Sequence, residues 1–326
     1  MRSAVTGAAG FLGGALCRAL LSRGDAVRAC LHRTTRGVDG LPVERVTAPL
    51  DDPEALRSAF DGVELVFHAA GRVSLLGGER ALDPIHVDGT RRVLAAARAA
   101  GVRRVLHVSS IETLLPRGGR GQPVDESAPP PVEALPNAYG RSKARAERVV
   151  LEAVAAGQDA VLVNPTAMVG PDDHGLSASG RLVLDLARGR VPALTPGGFD
   201  WVDVRSVAAG CLAAAERGRR GERYLLGGEL VRLTELAAWV AEGTGRRPPR
   251  LVLPGGPASR AAPAAWPWIS CWPSAPACTP RPRPSSATAP APPGRRSWTR
   301  FAGCGRRATC RPGAELFWLQ AAGPWD

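Results

Sequence analysis

The first thirteen residues run from Ser3–Thr6, a short strand-like stretch, straight into Thr6-Gly7-Ala8-Ala9-Gly10-Phe11-Leu12-Gly13. A strand, a tight turn and a helix start in that register leave few folds open. Gly7 permits the turn, Gly10 lets the backbone approach a pyrophosphate, and Gly13 lets the helix pack closely on the strand. A helix opening at Phe11 and Leu12 then turns free N–H groups and the positive end of its dipole toward an anion. The segment predicts a phosphate-binding turn at the start of a parallel α/β sheet.

The next stretches agree with that expectation. Up to about residue 160, β-branched runs alternate with helical patterns, the signature of a parallel sheet covered by helices. Strands are expected at Ala26–Leu31, Val43–Thr47, Glu64–Phe67, Arg104–Val108 and Asp159–Val163. Helices are expected at Phe11–Arg23, after Asp52-Pro53, at Pro84–Ala100 and at Asn137–Ala156. The fold expected is α/β: a Rossmann-type doubly wound parallel sheet in residues 1–163, with a small substrate lobe over 164–253 interleaved with the sheet. The segment 254–326 holds fourteen prolines, six of the eight tryptophans and no valine. It reads as a tail, disordered or the product of a frame change, with little means of building a core.

The net charge of +12 invites a nucleic-acid reading, but the tail alone carries nine arginines against Glu315 and Asp326. Those arginines alternate with Pro, Ala and Ser instead of lining one face with aromatic platforms, so no nucleic-acid partner is expected. The seven cysteines include no C-x₂-C pair, which argues against a metal site or a disulfide framework. No run approaches the ~20 apolar residues of a membrane span. With no signal peptide in view, the expected compartment is the cytoplasm.

Chemistry enters at Tyr139 and Lys143. Lys143 is the only lysine of the chain and Tyr139 one of two tyrosines. Four residues apart on a helix, both project from one face. A free phenol titrates near ~10, and a neighbouring ammonium is expected to lower it so that Tyr139 can exchange a proton with an alcohol or alkoxide. A serine hydroxyl on the carbonyl oxygen would polarise it. At the end of the second strand, where an acid would hold a ribose diol, the chain has Cys30-Leu31-His32-Arg33. Arg33, with His32 or Arg36, could clamp a 2′-phosphate, which favours NADP(H) over NAD(H).

The glycine spacing, the Tyr139-Gly140-Arg141-Ser142-Lys143 pentad, His68-Ala69-Ala70-Gly71 and Val108-Ser109-Ser110 together resemble the extended short-chain dehydrogenase/reductases, the NAD-dependent epimerase/dehydratase family. Val27-Arg28-Ala29, Asn164-Pro165, Asp200-Trp201-Val202-Asp203-Val204 and Gly227-Gly228 are similar to its dihydroflavonol-4-reductase-like members. The resemblance runs from residue 1 to about 253. It implies Ser110, Tyr139 and Lys143 as catalytic residues, with Ser110 preferred to Ser109. It implies cofactor contacts from Gly7, Gly10, Phe11, Leu12, Gly13, His32, Arg33, Leu50, Ala69, Ala70, Gly71 and Pro165, besides Tyr139 and Lys143. Asn164 and Arg181 become candidates for substrate binding. Pro49 departs from the family's usual Asp. The implied activity is NADP(H)-dependent reduction of a small-molecule ketone. The alternatives are a redox-neutral nucleotide-sugar epimerase or dehydratase, and a non-catalytic NADP(H) sensor or inactive product. A homodimer through the two long helices is the expected assembly.

Overall fold

The computed structural model describes residues 1–74, 78–114, 124–126 and 131–253. The 254–326 segment and most of the Gly/Pro-rich stretch between Ile111 and Pro136 lie outside the described residues. The chain begins β1 (Arg2–Thr6), α1 (Phe11–Ser22), β2 (Ala26–Leu31), β3 (Glu44–Thr47), α2 (Pro53–Phe60) and β4 (Leu65–His68). It continues with α3 (Glu79–Asp83), a π-helical turn (Pro84–Asp88), α4 (Gly89–Ala99), β5 (Arg104–Val108), α5 (Ala138–Ala155) and β6 (Ala160–Pro165). Then follow β7 (Ala167–Val169), α6 (Ala178–Ala187), β8 (Ala193–Leu194), β9 (Gly198–Asp203) and α7 (Val204–Arg217). The described part ends with β10 (Arg223–Leu226), β11 (Glu229–Arg232), α8 (Leu233–Thr244) and β12 (Leu251–Val252).

Seven strands form one sheet in the order β3-β2-β1-β4-β5-β6-β10, every pairing parallel. Both faces of its centre are covered, which is why β4, β5 and β6 are largely apolar and buried, whereas the edge strand β3 (Glu44-Arg45-Val46-Thr47) is mostly exposed. Successive residues divide between the two cores. Val5, Phe67, Leu106 and Val161 face α1 and α7, whereas Ala4, Val66, Val105 and Leu162 face α2, α4 and α5. This is the period-two alternation of a strand. Strand order reverses between β1 and β4, so a crevice opens at their carboxyl ends, where ligands bind in open α/β sheets.

The stretch after β6 is shared. Its α7 and β10 complete the main sheet and its cover, while β7, β9 and β11 make a three-stranded sheet and β8 pairs with β12. Leu182, Leu186, Trp201, Val231 and Val240 form the core of this smaller unit.

Two local features carry the sequence logic furthest. Asp52 caps α2 by accepting from the Ala55 N–H at 2.9 Å, with Pro53 in the first turn. The helix expected at Pro84–Ala100 is instead interrupted: α3 precedes it, and Pro84–Asp88 adopt a π-helical turn. Pro84 has no N–H to donate, and π-bulges concentrate at functional sites; His86 sits in this one.

Candidate active site

The turn between β1 and α1 needs its glycines for measurable reasons. Gly7 has φ +68°, and a Cβ there would lie 2.7 Å from the Ala70 backbone. A Cβ on Gly13 would lie 2.0 Å from the Gly7 carbonyl oxygen. Gly10 donates its N–H to that same carbonyl at 2.9 Å and caps α1 without a side-chain hydrogen bond, and the first turn contains no acid. The first N–H groups of α1, over half-buried Phe11 and buried Leu12, therefore remain open to an anion. Thr6 Oγ1 accepts from the Ala70 N–H at 3.3 Å and sits 2.8 Å from His68 Nδ1. Ala69, Ala70 and Gly71 are thereby drawn against the glycine turn, across the point where strand order reverses. This cradle fits the pyrophosphate of a dinucleotide. Gly13→Ala should lower thermal stability by ~1–3 kcal/mol through overpacking and abolish nucleotide binding, checked by melting and by calorimetric titration.

At the end of β2, His32, Arg33 and Arg36 are exposed. Among the described residues neither Arg33 nor Arg36 has a side-chain hydrogen bond or ion pair. The Arg36–Val38 turn packs on the glycine turn so closely that a Cβ on Gly37 would lie 2.6 Å from the Ala9 carbonyl oxygen. Gly37 thus brings the backbone beside Arg36 against the phosphate cradle. Leu50 is half-buried, its side chain occupying the room that Gly89 leaves in α4.

Tyr139, Lys143 and Ser110 converge at the carboxyl ends of β5 and β6. Asn137 caps α5 by accepting from the Gly140 N–H at 2.7 Å, and its amide donates to Glu112 at 2.8 Å. A Cβ on Gly140 would meet the Glu112 carbonyl oxygen at 2.6 Å, so glycine lets α5 pack directly on the turn that carries Ser110. The Ser110 hydroxyl accepts from the Glu112 N–H at 3.2 Å and sits beside the Tyr139 phenol, whose proton affinity it lowers. Ser109, by contrast, has a buried hydroxyl without a partner among the described residues. Lys143 Nζ donates to the Val108 carbonyl at 2.7 Å and lies 3.9 Å from the point a Cβ on Gly71 would occupy.

The electrostatics differ from the sequence expectation. Burial pushes the Tyr139 phenol up to about 12, opposed by the Ser110 hydrogen bond and reinforced by Glu112. Burial also pushes Lys143 down to about 8, with Glu147 opposing the shift. The ammonium is directed at Val108, so desolvation outweighs any help it gives the phenolate.

Other candidates fall elsewhere. Asn164 is fully buried, and its Nδ2 lies 3.0 Å from the Ser110 carbonyl, 2.9 Å from Thr113 Oγ1 and 2.8 Å from Glu147 Oε1. Its side chain faces the back of the serine turn. Arg181 is exposed on α6, with no hydrogen bond to Ser110, Tyr139 or Lys143. Pro165 ends β6, buried beside Leu226 of β10. His86 uses both nitrogens internally: Nε2 accepts from the Arg72 N–H at 3.1 Å, so the proton sits on Nδ1, 3.1 Å from Ser142 Oγ.

The sequence reading passed over Glu147 and Thr113, which join Asn164 behind Ser110. A signal was present for the first: Tyr139, Lys143 and Glu147 follow at i, i+4 and i+8, so the acid belongs to the buried face of α5. Among the described residues no cluster suits a metal ion and no helix is long and apolar enough to cross a membrane. Cys17, Cys30 and Cys211 are buried, each thiol pushed up to about 12 by burial.

Residues 3–227 match the model of the NAD dependent epimerase/dehydratase family. Sterol demethylase protein B of Methylococcus capsulatus is 44% identical over 260 residues, covering 78% of each chain. A 4-hydroxy-2-methyl-3-oxo-4-farnesyl-3,4-dihydroquinoline-1-oxide ketoreductase of Stigmatella aurantiaca is 35% identical over 238 residues, 69% of this chain and 68% of that one. Among solved structures, a UDP-glucose 4-epimerase of Thermus thermophilus in complex with NAD matches with a TM-score of 0.64 at 27% identity, over 79% of this chain and 88% of that one.

Proposed function

The chain belongs to the NAD-dependent epimerase/dehydratase family, and on that premise we propose that it reduces a small-molecule ketone to an alcohol with NADPH, using Ser110, Tyr139 and Lys143. The observation that carries the reading is the hydroxyl pair of Ser110 and Tyr139, set beside Lys143 at the crevice where the glycine turn meets Ala69–Gly71. A bound nicotinamide dinucleotide supplies the hydride. The Glu112 N–H occupies one lone pair of Ser110, which leaves the serine proton for an acceptor on the other side, the Tyr139 oxygen or, once bound, a substrate oxygen that it would polarise. Tyr139, protonated at neutral pH, holds the proton for the alkoxide. The ketoreductase named among the relatives favours this direction of chemistry.

The preference for NADPH rests on the unpaired Arg33 and Arg36 and on the absence of an acid after β2. A charge-assisted contact of this kind is worth ~1.5–3 kcal/mol. Arg33→Ala should therefore weaken NADPH binding by roughly 10- to 100-fold and leave NADH binding nearly unchanged, read by calorimetric titration of both nucleotides. A cytoplasmic enzyme, paired through α4 and α5, completes the reading.

Likeness to a UDP-glucose 4-epimerase supports a second reading, a redox-neutral cycle on a nucleotide sugar. One experiment separates the two. Purified protein is offered a ketone panel with NADPH and, separately, nucleotide sugars without added cofactor. NADPH consumption with a ketone upholds reduction; sugar conversion without added NADPH replaces it by the redox-neutral cycle.

A further inference from the structure

Glu147 is 3% exposed, and its two carboxylate oxygens look in different directions. Oε2 accepts from Arg223 of β10 at 3.0 Å. Oε1 lies 2.9 Å from Thr113 Oγ1 and 2.8 Å from Asn164 Nδ2. Both of those groups also reach the Ser110 carbonyl oxygen, at 2.9 Å and 3.0 Å. We propose that Glu147 is a positioning residue for the catalytic serine: through Thr113 and Asn164 it fixes the Ser110 backbone, and through Arg223 it anchors that turn to the edge strand of the sheet. The inference rests on the role given to Ser110 above.

Stability alone does not account for this arrangement. Two charges buried together are often replaceable by apolar side chains at no loss, because desolvation cancels most of their attraction. An ion pair kept only for packing would also need no more than Arg223, whereas Oε1 also faces the Asn164 amide, whose two N–H groups can reach the carboxylate and the Ser110 carbonyl together, and Thr113, whose single hydroxyl proton serves one of the two. That carbonyl belongs to the residue whose hydroxyl meets Tyr139. Glu147 sits one helical turn beyond Lys143 on the same face of α5. The other titratable groups around Lys143 are His68 from β4, His107 from β5 and His86 from the π-helical turn, all held neutral by burial. Glu147 is thus the anion that acts on Lys143.

The chain's single lysine makes a direct test possible, since isotope labelling of lysine gives one side-chain NMR signal, that of Lys143. In the wild type its titration midpoint is expected at about 8. In full-length Glu147→Gln the midpoint should fall, and kcat for ketone reduction should drop roughly 10- to 100-fold from serine misplacement, with KM for NADPH unchanged. Glu147→Asp should recover part of both. A folded Glu147→Gln with wild-type kcat overturns the proposal, whatever its midpoint. Should Glu147→Gln fail to fold, Glu147→Gln/Arg223→Gln, which removes both partners of the Glu147–Arg223 ion pair together, is read by the same criteria. Failure of the wild type to bind NADPH would strike at the reductase reading instead, and a displaced Ser110 turn in the structure of Glu147→Gln, or an unmoved one, would still decide the role of Glu147.

Discussion

Tyr139→Phe is expected to cut ketone turnover by roughly 10²- to 10⁴-fold, the range a positioned general acid contributes, while leaving NADPH affinity and melting temperature close to wild type. The phenol is buried, and burial pushes it up to about 12, so it carries its proton throughout the neutral range. That is the state a reduction requires, because the alkoxide formed as hydride arrives must be protonated within the site. Phenylalanine keeps the ring and its edge-on contact with His86, at 5.6 Å between centroids, and removes the group proposed to deliver that proton. The structural cost is small, since the Ser110 hydroxyl retains the Glu112 N–H as a partner. Steady-state NADPH consumption, measured on whichever ketone the wild type reduces, checks the expectation. Full turnover by the variant would remove Tyr139 from the chemistry. A protein that binds NADPH, turns over no ketone, and is indifferent to the substitution would be a sensor.

The sheet was legible in the sequence because buried parallel strands leave apolar runs and the helices between them leave caps and glycine stops. The meeting of Gly7, Gly13 and Ala69–Gly71 was legible for a related reason: close backbone approach demands glycine, and glycine positions can be counted. The break in the expected Pro84–Ala100 helix was not, since Pro84 suits the first turn of an α-helix as well as a π-helical turn. Asn164 shows the limit for polar side chains. The end of a strand fixes where its Cα lies, but Thr113 and Glu147, distant in sequence, draw its amide to the back of the serine turn. Tyr139 shows the limit for electrostatics. Spacing put an ammonium on its helix face, whereas the direction of the Lys143 side chain, toward the Val108 carbonyl, left burial to set the phenol's proton affinity.

Lys143→Met should lose most activity and yet melt no lower than the wild type at neutral pH. Burial pushes the lysine from 10.5 down to about 8. At pH 7 the ammonium is protonated both folded and unfolded, so the folded protein bears the whole penalty, on the order of 3–4 kcal/mol at ~1.4 kcal/mol per pH unit. Between about 8 and 10.5 the unfolded chain binds more protons than the folded one, so this group makes stability rise with pH across that window. Methionine removes the buried charge and keeps an unbranched, apolar chain of similar length. It also leaves the Val108 carbonyl without its donor, which returns roughly 1–3 kcal/mol. The two effects nearly cancel or favour the variant at pH 7, and the comparison should turn toward the wild type as pH climbs to 10.5. Turnover should fall by roughly 10²- to 10³-fold, the loss typical of removing one preorganised electrostatic group. Thermal melts at pH 7 and pH 10 beside NADPH-consumption assays would read both halves. A variant that melts well below the wild type at pH 7 would mean that the ammonium stabilises the fold. The expected result instead identifies a cation held against the interests of stability, as strained functional groups are. It also accounts for lysine at this one position in a chain otherwise supplied with arginine. A guanidinium would stay charged at every accessible pH and needs five donors satisfied, whereas the pocket offers the Val108 carbonyl and the space beside Gly71.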